Sequence, residues 1–187
     1  MKNVILGTLC GAIVYFMWSF FFWVFSGIPV NHAKTFADEA AVQKCLTEQA
    51  KEGSGYYILP TPKLPAGVDA KTYMETRPKQ IQSTFFFAGA VHTKGTGVPL
   101  TTQIAMSFGW NLVTALFLTL LVIKADGETF FDRFSIVLLA IAAGTTGIYV
   151  MQHVWWGVTP PWVCYLMLDW VVGWSLAGLA IAKLTAP

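Results

Sequence analysis

Four long apolar stretches, nearly free of charge, constrain this chain more than any other feature of its sequence. The first runs from Val4 to Ser26 without a charged residue. An α-helix rises about 1.5 Å per residue, so roughly 20 residues cross a hydrocarbon core of roughly 30 Å. The second runs from Ile104 to Ile123 and is closed by Lys124. The third begins near Phe130, after the polar turn Ala125-Asp126-Gly127-Glu128, and reaches about Val154. The fourth follows Pro160-Pro161, where proline suits a helix's first turn, and ends at Lys183. The first stretch is longer and richer in Trp and Phe than a cleaved leader, and no clear small-residue cleavage site follows it. It is expected to be an uncleaved signal anchor.

The charged residues are segregated to match. They make up only 12% of the chain, about half the share of a soluble domain, and most fall between Ile28 and Gln103. The expected fold is a membrane all-α, four-transmembrane-helix bundle with a small α+β extracytoplasmic insert. Residues 1–27 form the first helix, 28–103 the insert and 104–187 the other three helices. Lys2, Lys124, Arg133 and Lys183 share one side if both termini are cytoplasmic, and the opposite short connection, Met151 to Pro160, has no Lys or Arg. The asymmetry predicts both termini inside. The insert carries eight Lys and Arg, but long segments translocate largely regardless of charge. A net charge of +2 with no basic run argues against a nucleic-acid partner. Cys10, Cys45 and Cys164 have no zinc spacing and read as isolated small hydrophobes.

In the insert, Thr35 to Glu52 predicts a helix capped by Thr35, with Asp38 and Glu39 at its positive end and Ala41, Val42, Cys45 and Leu46 as its apolar stripe. Tyr56 to Leu59 predicts a strand ended by Pro60, and Ala70 to Thr76 another helical turn or two. Thr84 to Phe87 predicts a second strand. Between them Thr61 to Gly67 is a proline-rich loop, and Lys94-Gly95-Thr96-Gly97 leads into the second span. So small a domain is marginal alone, so it is expected to rest on the membrane surface or a partner through Phe85 to Phe87. His32 and His92 lack a metal-binding pattern and read as surface residues.

One ionisable residue sits well inside an apolar stretch. Asp169 lies about 12 Å beyond Pro161 along the fourth span, near mid-depth. A charged Asp there costs roughly 2.5–3.5 kcal/mol on insertion scales, so it should face the bundle and be paired or protonated. Asp169, Gly173, Ala177 and Ala180 share a face of small residues where another helix can approach. Trp170 and Trp174 fall on a neighbouring face, toward lipid or a partner. Gln103, Ser107, Asn111 and Thr114 form a polar stripe on the second span, and Asn111 or Ser107 is the expected hydrogen-bond partner of Asp169. The candidate cluster is therefore Asp169, Asn111, Ser107 and Gln103. The third span offers Ala140, Gly144 and Gly147 with Thr145 and Thr146, and the first Gly7-x-x-x-Gly11, then Tyr15 and Trp18. Trp155, Trp156 and Trp162 read as an interfacial aromatic belt at the outer face, or as a platform for a ring-shaped ligand.

Trp156-Gly157 together with Asp169-Trp170-Val171-Val172-Gly173-Trp174-Ser175-Leu176-Ala177-Gly178 resembles a group of small four-helix bacterial inner-membrane proteins with no assigned activity. Ala37-Asp38-Glu39-Ala40-Ala41-Val42 and Gly55-Tyr56-Tyr57-Ile58-Leu59-Pro60 look like the same group's periplasmic insert. The resemblance implies an inner membrane and a periplasmic insert, and no activity. No nucleophile, base or paired-carboxylate set is legible. The expectation is a non-enzymatic accessory or assembly subunit without a cofactor, seated in the lipid bilayer beside other integral membrane subunits. A bundle binding a lipid, quinone or pigment near Asp169 is the alternative, and an oligomeric transporter the remaining one.

Overall fold

The computed structural model describes residues 1–61, 63–83 and 85–186. Two compact units are present, one formed by residues 1–33 and 98–187 and the other by residues 34–97.

The first unit contains four helices long and apolar enough to cross a membrane. The first of them is α1 (Lys2–Phe20), prolonged by a π-helical turn (Phe21–Phe25), and a short α2 (Ile28–His32) follows. In the π turn, Ser26 N–H reaches back five residues to Phe21 O at 3.0 Å. Within the second unit lie α3 (Glu39–Gln49), β1 (Gly55–Leu59), α4 (Ala70–Ser83) and β2 (Phe87–Val91). The remaining helices are α5 (Leu100–Lys124), α6 (Phe130–Thr145) with a second π turn (Thr146–Val150), α7 (Met151–Trp156) and α8 (Pro160–Leu184). Thr129 and Asp132 cap α6 reciprocally, each side chain accepting the other's backbone N–H. Gly157, in the left-handed region at φ 64°, ends α7 and lets the chain turn into α8.

α1 is central, packed against α8 on one side and α5 on the other, while α6 packs on α8. Residues spaced by four explain why. Along α1 and its π turn, Gly7, Gly11, Tyr15, Ser19 and Trp23 follow one another. On α8, Asp169, Gly173, Ala177, Ile181 and Thr185 do the same in the opposite direction. A Cβ at Gly7 would come 2.9 Å from Thr119 and 3.4 Å from Thr185, and one at Gly11 2.9 Å from Ile181. Such close approach is what small residues permit, because they let two helix backbones come together. Val137 of α6 fills the space beside Gly178 in the same way, at 2.8 Å.

On α6 the expectation from sequence needs correcting. Arg133, Val137, Ile141, Thr145 and Tyr149 form its buried row, but Gly144 and Gly147 are exposed, and a Cβ on either would meet nothing within 4 Å. Trp174 differs too. It is 1% exposed, and its ring stacks on Tyr15 at 4.2 Å, because Gly173 brings α1 close enough to cover it.

In the second unit β1 and β2 pair antiparallel, from Gly55 with Val91 to Leu59 with Phe87. The second strand thus lies later than the Thr84–Phe87 expected from aromatic content. Ala88, Gly89 and Ala90 are poor strand formers taken into the ladder by their partners. Thr84 and Pro62 lie outside the described residues. Asp38, not Thr35, caps α3, its carboxylate accepting Ala41 N–H at 2.8 Å. A carboxylate three residues before that amide is in reach, whereas Thr35 precedes the helix by too much. α4 extends to Ser83, further than Thr76, and opens on Asp69, whose carboxyl is held below its ordinary range by the Thr72 hydroxyl at 2.6 Å and amide at 3.0 Å. Among the described residues of this unit only Ala50 and Val91 are buried, so its core is as thin as its size suggests.

Candidate functional site

The site begins with a close approach. Gly173 has no side chain, and a Cβ there would lie 2.5 Å from Trp18 Cδ1 and 2.8 Å from Tyr15. Trp18 uses that room to donate its indole N–H to the backbone carbonyl of Asp169 at 3.1 Å. The next residue, Ser19, donates from Oγ to Asp169 Oδ2 at 3.2 Å, and one turn further, in the π turn, Trp23 Nε1 donates to the same oxygen at 2.8 Å. Asp169 itself is 4% exposed. It is therefore inward-facing and paired, as its energy cost requires. Its partners, however, come from α1 and not from Asn111 or Ser107. The reason is helix order: small residues seat α1 on α8, while α5 scarcely touches α8.

Aromatic rings close the layer. Tyr15 also meets Trp170 edge-on at 6.2 Å, and Tyr149, in the second π turn, meets Trp170 at 6.0 Å. Phe22 is buried between Trp18 and Trp23. Both π turns thus deliver an aromatic side chain to the helix that carries Asp169, in keeping with the frequent placement of such turns at functional positions. Trp162 leans on Trp23 at 6.1 Å and on Tyr165, so it belongs to this cluster, while Trp155 is 71% exposed. The second carboxylate oxygen, Asp169 Oδ1, and the Trp174 indole N–H are buried without a hydrogen-bond partner among the described residues.

Gln103, Ser107 and Asn111 stand across a groove from this cluster. α1 and α5 touch where Gly7 meets Thr119 and where a Cβ on Gly11 would lie 3.5 Å from Ala115. Toward the other end of the bundle, bulky Tyr15, Phe16 and Trp23 replace the glycines and the two helices part. The opening, about 440 Å³, has Tyr15, Ser19 and Trp23 on one wall and Gln103, Ser107 and Asn111 on the other. The expected polar cluster is thus split: Asp169 is sealed behind Ser19 and Trp23, and its supposed partners face those two residues from outside. Gln103 is engaged locally, donating to Val98 O at 3.0 Å, and Thr114 donates to Trp110 O.

Ser19 and Trp23 were missed in the sequence because both sit in an apolar run with no charge to mark them. The four-residue spacing from Gly7 and Gly11 through Tyr15, carried two steps further, points to them. Among the described residues no group of three or more His, Cys, Asp or Glu is placed to hold a metal ion. No protein family, no curated protein and no solved structure matches this chain.

Proposed function

We propose that this protein is a multi-pass bacterial inner-membrane protein that acts as a non-enzymatic accessory or assembly subunit of a larger membrane complex. Four long apolar helices support the membrane reading, and the resemblance of the Asp169–Gly178 motif supports the bacterial one. Lys2, Lys124, Arg133 and Lys183 at the ends that carry the termini favour cytoplasmic termini and a periplasmic 28–103 segment.

The observation that carries the subunit reading is the open flank of α6. Every interior glycine of α1 and α8 named above is filled by a neighbouring helix, whereas Gly144 and Gly147 meet open space beside exposed Ala143, Thr146 and Ile148. Lipid tails need no glycine, which destabilises a helix by roughly 0.5–1 kcal/mol relative to Ala. A transmembrane helix of another subunit does need it, because only small residues let two backbones come close. The test is purification in mild detergent of wild type and of Gly144→Leu with Gly147→Leu. Wild type should travel with a larger particle, and the double variant should keep its own melting midpoint but leave that particle. A wild-type monomer with no companion overturns the reading.

The groove beside Ser107 and Asn111 favours a second reading, binding of a lipid, quinone or pigment. Native mass spectrometry of the purified protein should then show one retained apolar molecule, lost when Ser107→Leu and Asn111→Leu fill the groove. Wild type that carries none removes it.

A further inference from the structure

The end of the bundle that holds both termini contains a second groove, also about 440 Å³, where α1, α5, α6 and α8 converge. Arg133 lines it and is 7% exposed. Its Nε donates to Ala182 O at 2.8 Å, and its Nη1 donates to Gly127 O at 2.9 Å and Glu128 O at 3.1 Å. These carbonyls hold the guanidinium in place, and no carboxylate forms an ion pair with it within 4 Å among the described residues: the neighbouring Asp132, which it attracts, is turned to the Thr129 hydroxyl and amide. These three bonds use Nε and Nη1, and none of them uses Nη2.

Two further features of the same groove share that sign. Lys2 lines it, and so does the first turn of α1, which has no side-chain cap and no acidic residue. The amides of that turn have no intrahelical acceptor, and they form the positive end of a long helix. One opposing charge is present, Asp126, held at φ 51° in the turn between α5 and α6. Among the lining residues Lys2, Arg133 and the Met1 amine stand against the one carboxylate of Asp126, and with Asp132 beside Arg133 counted the balance is still positive.

We propose that this groove binds the phosphate of an anionic phospholipid headgroup, Nη2 of Arg133 and the α1 amides donating to its oxygens and Lys2 supplying charge. The oxygens of a phosphate diester accept charge-assisted hydrogen bonds from a guanidinium N–H and from the donor end of a helix. Basic pockets between transmembrane helices at the cytoplasmic surface select such lipids. The proposal rests on the membrane reading given above, and is independent of the α6 flank and of the groove near Asp169.

Native mass spectrometry of the full chain in detergent, titrated with phosphatidylglycerol and separately with phosphatidylcholine, tests it. One phosphatidylglycerol should bind at least several-fold more tightly than phosphatidylcholine. Lys2→Gln, which changes an exposed side chain, should weaken it about threefold to tenfold, and Asp126→Asn should strengthen it by a similar factor. Millimolar inorganic phosphate should compete weakly. Equal binding of the two lipids, or indifference to both substitutions in a protein of unchanged melting midpoint, overturns the proposal. Capture of inorganic phosphate without lipid selectivity overturns the lipid as the source.

Discussion

Gly173→Leu abolishes the folded bundle, and Gly173→Ala lowers its stability by about 1–3 kcal/mol, the usual range for overpacking a filled interior. The added methyl group of Ala would sit 2.5 Å from Trp18 and 2.8 Å from Tyr15. Neither ring has a free path away. Trp18 is tied to the Asp169 carbonyl, and Tyr15 is stacked on Trp174. The strain must therefore push α1 away from α8, which also pulls Ser19 and Trp23 off the carboxylate. Gly144→Ala is the matched control: with nothing within 4 Å of its new Cβ, it should leave the isolated protein unchanged or slightly more stable. Melting midpoints in one detergent, read by tryptophan fluorescence, compare the two. Equal effects at the two glycines would refute the central place given to the α1–α8 contact.

Asp169→Leu should be the second severe change. It strands the half-buried Trp23 indole N–H and Ser19 hydroxyl, which both donate to Oδ2, at up to about 1–3 kcal/mol for each donor left unpaired. Asp169→Asn should cost far less, because the amide oxygen accepts both bonds while its NH2 takes the place of Oδ1, which accepts none among the described residues. Trp23→Phe removes one donor and keeps the ring against Phe22 and Trp162. In a double-mutant cycle Trp23→Phe and Asp169→Leu should couple by about 0.5–3 kcal/mol, since each removes the same bond. Strict additivity would mean that the hydrogen bond contributes nothing. An Asn111→Ala cycle with Asp169 should show no direct coupling, as the two groups face different spaces.

The asymmetry between these two glycines has a functional side. A sequence alone treats Gly144 and Gly173 alike, as small residues on apolar helices. In the fold one is covered by two aromatic rings and the other is bare. The open one is the reason for proposing α6 as an outward-facing contact for a companion helix.

Much of this was legible in the residues themselves. Helix number and type followed from apolar runs near 20 residues, the length of a helix long and apolar enough to cross a membrane. The inward direction of Asp169 followed from the cost of leaving it elsewhere, and the closeness of α8 to a neighbour from Gly173 and Ala177. Which neighbour it would be did not follow. Ser107 and Asn111 on α5 were as plausible by depth as Ser19 and Trp23 on α1, and depth is all that a one-dimensional pattern supplies. Helix order decided between them, and helix order arises from how bulky and bare surfaces interlock across elements far apart in the chain. The same holds for the parting of α1 from α5 and for the unpaired guanidinium of Arg133, because a groove and a counter-charge exist only once several helices have taken their places.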